Sequence, residues 1–177
     1  MCVLDYDTVA ASDKFGNVVV LRVPEGCDGG VDASQGSLRA LWDTGAKVKL
    51  ELVAHYYLGE MATSLTRCSL LPGAQEVIVA TTITGGLYAF VPLTSKEDVG
   101  FFTQLEMFLR RECPNLCQRD HLSFRSSYQP VRHIVDGDLC ERFGRLSAAK
   151  QVELAQAVHR SPAEVMKKLE EIRHLIV

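Results

Sequence analysis

Apolar residues follow two different periods along this chain. Through the first ninety or so positions they come in short β-branched runs, punctuated by glycine, proline and asparagine. After Ser95 they recur at three- and four-residue intervals. The first pattern predicts strands and the second amphipathic helices, so the chain reads as a β half followed by an α half.

In the β half, Val3 to Ala11 and Val18 to Leu21 flank Asp13-Lys14-Phe15-Gly16-Asn17, which predicts a hairpin about a turn with positive φ. Pro24 ends the second strand because proline cannot donate to a ladder. Val48 to Tyr57 alternates. Val48, Leu50, Leu52, Ala54 and Tyr56 fall on one face, and Lys49, Glu51 and His55 largely on the other. Ala62 to Leu71 predicts a further strand, and Glu76 to Thr82 with Leu87 to Val91 a hairpin about Gly85-Gly86. Between Pro24 and Ala46 lie five of the 13 glycines, which reads as a mobile insertion. Trp42 is expected to anchor it to the sheet.

Residues 8–23 align without gaps on a second stretch shifted by 69, so that Ala11 meets Ala80, Gly16 meets Gly85 and Leu21 meets Phe90. Repetition of a small β unit points to a propeller or a solenoid. A propeller blade has four strands, so about six strands supply roughly one and a half blades. The expected fold class is β + α: a partial β-propeller followed by an α-helical C-terminal domain.

The α half opens at Ser95-Lys96-Glu97-Asp98, a hydroxyl followed by carboxylates, which predicts a capped helix start. Phe101, Phe102, Leu105, Phe108 and Leu109 form its apolar face, and Pro114 stops it. Asp120 predicts a cap for a short helix reaching Tyr128, Pro130 to Val135 an extended run, and Asp136 the cap of a helix carrying Leu139, Cys140 and Phe143. Ser147 opens another helix, with Val152, Leu154, Ala155 and Val158 inside. Ser161-Pro162-Ala163-Glu164 has the form of a capping box with proline at the first helical position. Val165, Met166, Leu169, Ile172 and Ile176 are the expected buried stripe of the last helix.

Composition narrows the classes. Hydrophobic residues make up 47% of the 177 and charged residues 23%, ordinary for a globular protein. The net charge of −3 is too mild to argue for non-specific nucleic-acid binding. No apolar run approaches the length of a membrane helix, and no signal-peptide pattern is visible. The six cysteines are scattered and read as reduced thiols.

Arg119 to Phe143 holds the least generic chemistry. Cys113, Cys117 and His121 have metal-like spacing but lack a short Cys-x-x-Cys pair, so free thiols are the expectation and no metal or cofactor is implied. Asp136 and Asp138 suit a helix N-terminus better than an acid–base pair. Seven arginines lie within residues 110–145, nearly balanced by five carboxylates, which favours salt bridges and a protein interface over RNA. No phosphate-binding loop is present.

The stretches LDYDTVAASDKFGN, LWDTG, SLLPG, TSKEDVGFF, LCQRDHLSFRSSYQPV and VDGDLCERF resemble the splicing factor 3B subunit 3 family. Its wider kin are damage-specific DNA-binding protein 1 and the large subunit of cleavage and polyadenylation specificity factor. The resemblance implies that 1–93 is the end of the last β-propeller and 95–177 a helical C-terminal domain, with the preceding propellers lying outside this chain. It implies a nuclear, non-enzymatic scaffold acting in pre-mRNA splicing. The implied partners are other splicing factor 3b subunits and, indirectly, the U2 small nuclear ribonucleoprotein and pre-mRNA. No small-molecule substrate, cofactor or membrane is implied. Direct RNA binding through 110–145 is the alternative. The expected structural and interface residues are Trp42, Asp120, His121, Phe124, Arg125, Tyr128, Asp136, Gly137, Asp138, Leu139 and Phe143.

Overall fold

Two antiparallel sheets and a set of helices succeed one another along the chain. The computed structural model describes residues 1–24 and 50–175; the expectation for Trp42 lies outside the described residues. Strands β1 (Cys2–Val3), β2 (Thr8–Ser12), β3 (Asn17–Arg22) and β4 (Glu51–Tyr57) form one sheet in sequence order, and β5 (Ala62–Ser69), β6 (Glu76–Thr82) and β7 (Leu87–Phe90) the other.

The first strand is shorter than the apolar pattern predicts. Leu4 and Asp5 both donate their N–H to the Thr8 carbonyl, at 2.9 and 3.1 Å, so Asp5-Tyr6-Asp7 turns instead of pairing. Tyr6, at 97% exposure, has nothing to pack against. The β2–β3 turn follows expectation. Asp13 Oδ1 accepts from the N–H of Phe15 and Asn17, both at 2.9 Å. Gly16 takes φ +95°, and a Cβ there would lie 2.6 Å from the Glu60 carbonyl, so glycine is required twice over.

The internal repeat survives at the level of strand pairing. Val9 pairs with Leu21 and Ala11 with Val19, while Ile78 pairs with Phe90 and Ala80 with Tyr88, each shifted by the same 69 residues. The two sheets nevertheless bury different faces. Ala10 and Ala80 are both fully buried in one cluster with Val18, Leu58 and Leu65, yet the repeat equates Ala80 with Ala11. Adjacent strand residues point to opposite faces. The first sheet therefore packs one face on the second, and the second receives it with its other face. The face of the second sheet equivalent to that of Ala10 carries Leu87, which is 75% exposed.

Helix α1 (Lys96–Glu112) buries Phe101, Phe102, Leu105 and Leu109 of its predicted stripe, leaves Phe108 half-buried, and ends before Pro114. Ser95 precedes it with extended backbone, but its hydroxyl makes no cap bond, contrary to expectation. A short α2 (His121–Phe124) stops four residues before Tyr128. Helix α3 (Gly137–Glu141) runs into a 3-10 turn, Arg142–Arg145. Two longer helices close the chain, α4 (Ala148–Ala157) and α5 (Pro162–His174).

A second core joins these helices: Phe102, Leu105, Leu109, Leu139, Cys140, Phe143, Leu154, Ala155, Val158, Val165 and Leu169. Ile176 lies outside the described residues, and among the rest two expected core positions fall outside this core. Val152 is 44% exposed and Met166 37%, because each of these helices buries a narrower face than its sequence offers. At α5 the capping box is complete, with Glu164 N–H donating to Ser161 Oγ and Ser161 N–H to Glu164 Oε2.

Candidate interface between the sheet and the helices

Strand β4 is the outer strand of its sheet, and its free edge is taken by the stretch that leads from α2 to α3. His55 N–H donates to the Arg132 carbonyl at 3.0 Å, and Arg132 N–H returns a bond to the His55 carbonyl at 2.9 Å. Tyr57 N–H donates to the Arg125 carbonyl at 3.1 Å. Proline at 130 holds the run extended, as its sequence predicts, so it can pair like a short strand. His133 adds a bond to the Val53 carbonyl at 2.8 Å through Nδ1.

The His55 ring is the surprise of this edge. It was expected on the face opposite Tyr56, and so it is, but at 3% exposure it is buried there and not solvated. Its Nδ1 lies 3.2 Å from the Pro130 carbonyl and its Nε2 3.1 Å from Asn17 Oδ1. Asn17 is in turn fixed by donating to Asp13 Oδ2 at 2.7 Å. The β2–β3 turn, β4 and the 130–133 run are thus joined through one imidazole.

Arg125 forms the second joint. Its backbone closes α2, donating to Leu122 O at 3.1 Å. Its guanidinium donates to Tyr56 Oη at 2.9 Å, lies 5.9 Å from the centre of the Tyr56 ring, and forms an ion pair with Asp136. The Arg125 and Asp136 side chains are only 15% and 4% exposed. Asp136 Oδ2 and Arg125 Nε are buried without a hydrogen-bond partner among the described residues, so the ion pair is what meets that carboxylate oxygen. The other carboxylate oxygen accepts from Leu139 N–H at 3.1 Å and caps α3, as the sequence predicts.

Burial governs the charges around this joint. It pushes the Asp136 carboxyl up, against the pull of Arg125 and the Leu139 N–H. It pushes Tyr56 up to about 12, although Arg125 favours the phenolate. Glu106, on the inner face of α1, is also raised by burial, opposed first by Arg110 and then by the Asp136 N–H. Burial raises the Cys140 thiol further, with help from Glu106 and Asp136. His121 is 2% exposed, and neither ring nitrogen has a hydrogen-bond partner.

The expected interface residues separate into roles. Asp120 caps α2 through Leu122 N–H at 3.1 Å. Leu139 and Phe143 are core, and Gly137 and Asp138 occupy the first turn of α3. Phe124 is half exposed. Tyr128 is 89% exposed and meets Phe15 edge-on, with centroids 6.3 Å apart. Tyr56, His55, Asn17 and Glu106 were not anticipated from sequence. Of the seven arginines in 110–145, Arg125 is consumed by the joint, while Arg111, Arg119, Arg132 and Arg145 remain exposed.

The model of the CPSF A subunit region matches residues 1–145, which takes in both sheets and this joint. The chain belongs to that family. Splicing factor 3B subunit 3 of Danio rerio is 48% identical over 97% of the chain, and that of Drosophila melanogaster 46% over 96%. The pre-mRNA-splicing factor prp12 of Schizosaccharomyces pombe is 41% identical over 96%. The chain spans about 14% of the length of each of these relatives. The resemblance to splicing factor 3B subunit 3 read from the sequence motifs is therefore borne out along nearly the whole of this CPSF A region.

Proposed function

We propose that this CPSF A region is the end of a β-propeller scaffold that acts in pre-mRNA splicing in the nucleus. It works without catalysis, by holding other splicing factor 3b subunits of the U2 small nuclear ribonucleoprotein. The observation that carries the reading is the 41–48% identity to proteins named as splicing factors over 96–97% of the chain.

The geometry supports the propeller part of the proposal. The four-stranded meander has the strand count of a blade. Two repeat-related sheets that meet through opposite faces can be followed by a third in the same manner, which is how a ring of blades or a solenoid grows. The exposed face around Leu87 is where such a neighbour would sit, and among the described residues the second sheet has no counterpart of β4 beside β7. On this reading 1–93 supplies the last blades and 95–177 a helical domain clasped to them through Arg125 and His55.

The test is affinity purification of the tagged chain from nuclear extract, with splicing factor 3b subunits identified by mass spectrometry. Their recovery, weakened by Arg125→Ala, is the expected result. A second reading, direct RNA binding through 110–145, is favoured by the exposure of Arg111, Arg119, Arg132 and Arg145. RNA affinity falling steeply with salt, with no subunit recovered, would replace the scaffold reading by this one.

A further inference from the structure

Arginines of the helical half are used in two ways. Arg125, Arg160 and Arg173 each meet a carboxylate. Arg142 and Arg145, on the 3-10 turn, meet none within ion-pair distance among the described residues. Both line a cleft of about 260 Å³ between the C-terminal end of α1 and the approach to α4, together with Glu112, Cys113, Pro114 and Leu146. Side chains three apart on a 3-10 turn eclipse one another, so the two guanidinium groups leave the backbone on one side.

Glu112 is the acid of this lining, and Lys150 holds it at 3.0 Å. Lys150 is shared with Glu153 at 3.2 Å, so the cleft and its flank keep one net positive charge, and that excess is carried by Arg142 and Arg145, which meet no carboxylate among the described residues. Pro114, Leu146 and the buried Cys113 supply an apolar wall beside them.

We propose that this cleft binds a phosphorylated serine or threonine side chain of a partner protein. A phosphomonoester carries a charge of about −1.5 to −2 at neutral pH, enough to match both arginines. Its oxygens accept from guanidinium forks in bidentate fashion. The apolar wall suits the flanking residues of a peptide. A nucleic-acid strand fits worse, because its successive phosphates would be led past Glu112 and Glu153, which flank Lys150 at 3.0 and 3.2 Å.

The test uses the 177-residue chain and one fluorescent peptide sequence carrying serine, phosphoserine or glutamate, with inorganic phosphate and a short single-stranded RNA as competitors. The phosphoserine peptide is expected to bind about tenfold or more tighter than the serine peptide, the worth of one charge-assisted pair. Arg145→Ala, at an exposed position, is expected to lose that advantage without a change in melting temperature. Arg145→Lys should recover only part of it, since an ammonium lacks the fork. Glu112→Gln is expected to tighten binding, and inorganic phosphate to compete. Equal binding of the serine and phosphoserine peptides overturns the proposal. So does phosphopeptide binding that Arg145→Ala leaves intact, or RNA that binds more tightly than the phosphopeptide and is lost in Arg145→Ala.

Discussion

Arg125 and Asp136 form an ion pair on the helical side of the molecule, and the same guanidinium reaches across to Tyr56 on β4 at 2.9 Å. One cation thus faces both a buried acid and a phenol belonging to the sheet. Its removal leaves Asp136 buried without a counter-charge. Such a loss costs about 3–5 kcal/mol. Arg125→Ala is expected to lower the unfolding free energy of the chain by that order in urea denaturation. Asp136→Asn should cost less, because the amide oxygen can still accept from Leu139 N–H and cap α3. In the double variant the two losses should fall short of additive.

Tyr56 sets an alkaline limit. Its folded value of about 12 lies above the ordinary 10, because burial disfavours the phenolate. A raised folded value contributes stability that is complete below pH 10 and lost as the pH rises through about 12. Tyr88 is raised in the same direction, so the difference between the parent chain and Tyr56→Phe is the useful reading. Tyr56→Phe should start less stable, lacking its bond to Arg125, and should lose less between those two pH values. Equal alkaline losses in both proteins would contradict the burial of this phenol.

The helix caps divide into those that bond and those that only look as though they should. Ser161 accepts from Glu164 N–H, whereas Ser95 and Ser147 make no side-chain cap bond. Ser161→Ala is expected to cost about 1 kcal/mol. Ser95→Ala and Ser147→Ala should fall within about 0.5 kcal/mol of the parent. Chemical denaturation of the three variants side by side decides it.

These caps also mark what a sequence can and cannot disclose. Asp136 and Ser161 were legible because a cap acts three residues along the chain. The strand and helix periods were legible for the same reason. His55 was not. Its partner carbonyl at Pro130 lies 75 residues away, and alternation alone placed the ring with Lys49 and Glu51, on the face opposite Tyr56. Tyr56 was placed on the apolar face of its strand, where it packs against Phe90, but its bond to Arg125, 69 residues away, was not foreseen, and neither was the burial of Glu106. Val152 and Met166 failed in the opposite sense. They keep the helical period but sit at the border of the buried face, where neighbours and not pattern decide exposure.

The edge of β4 offers a direct test of that closing. Arg132→Pro removes the N–H that donates to the His55 carbonyl. Loss of that bond should loosen the reciprocal one, from His55 N–H to the Arg132 carbonyl. The amide of His55 is then expected to exchange much faster with deuterium, while amides in the middle of α1 keep their protection. Uniform protection in the variant would mean that the 130–133 run does not hold the sheet edge.

The strand half should not stand alone. Residues 1–93 end before α1, so they lack Arg125, Pro130 and Arg132, and with them every hydrogen bond that closes the β4 edge. His55 would keep Asn17 and lose its other partner, and Tyr56 would keep Phe90 and lose Arg125. On the far side Leu87 is already 75% exposed in the full chain, and β7 has no strand beyond it among the described residues. A sheet with an open edge and an exposed leucine beside it invites pairing with other copies. Residues 1–93 expressed alone are therefore expected to aggregate or to unfold without a cooperative transition, followed by light scattering and circular dichroism. The full chain, in which the 125–133 stretch covers β4, should show the sharper melt. A soluble monomer of 1–93 with a sharp transition would show that the sheets need neither the helical half nor a further blade, and would count against the propeller reading.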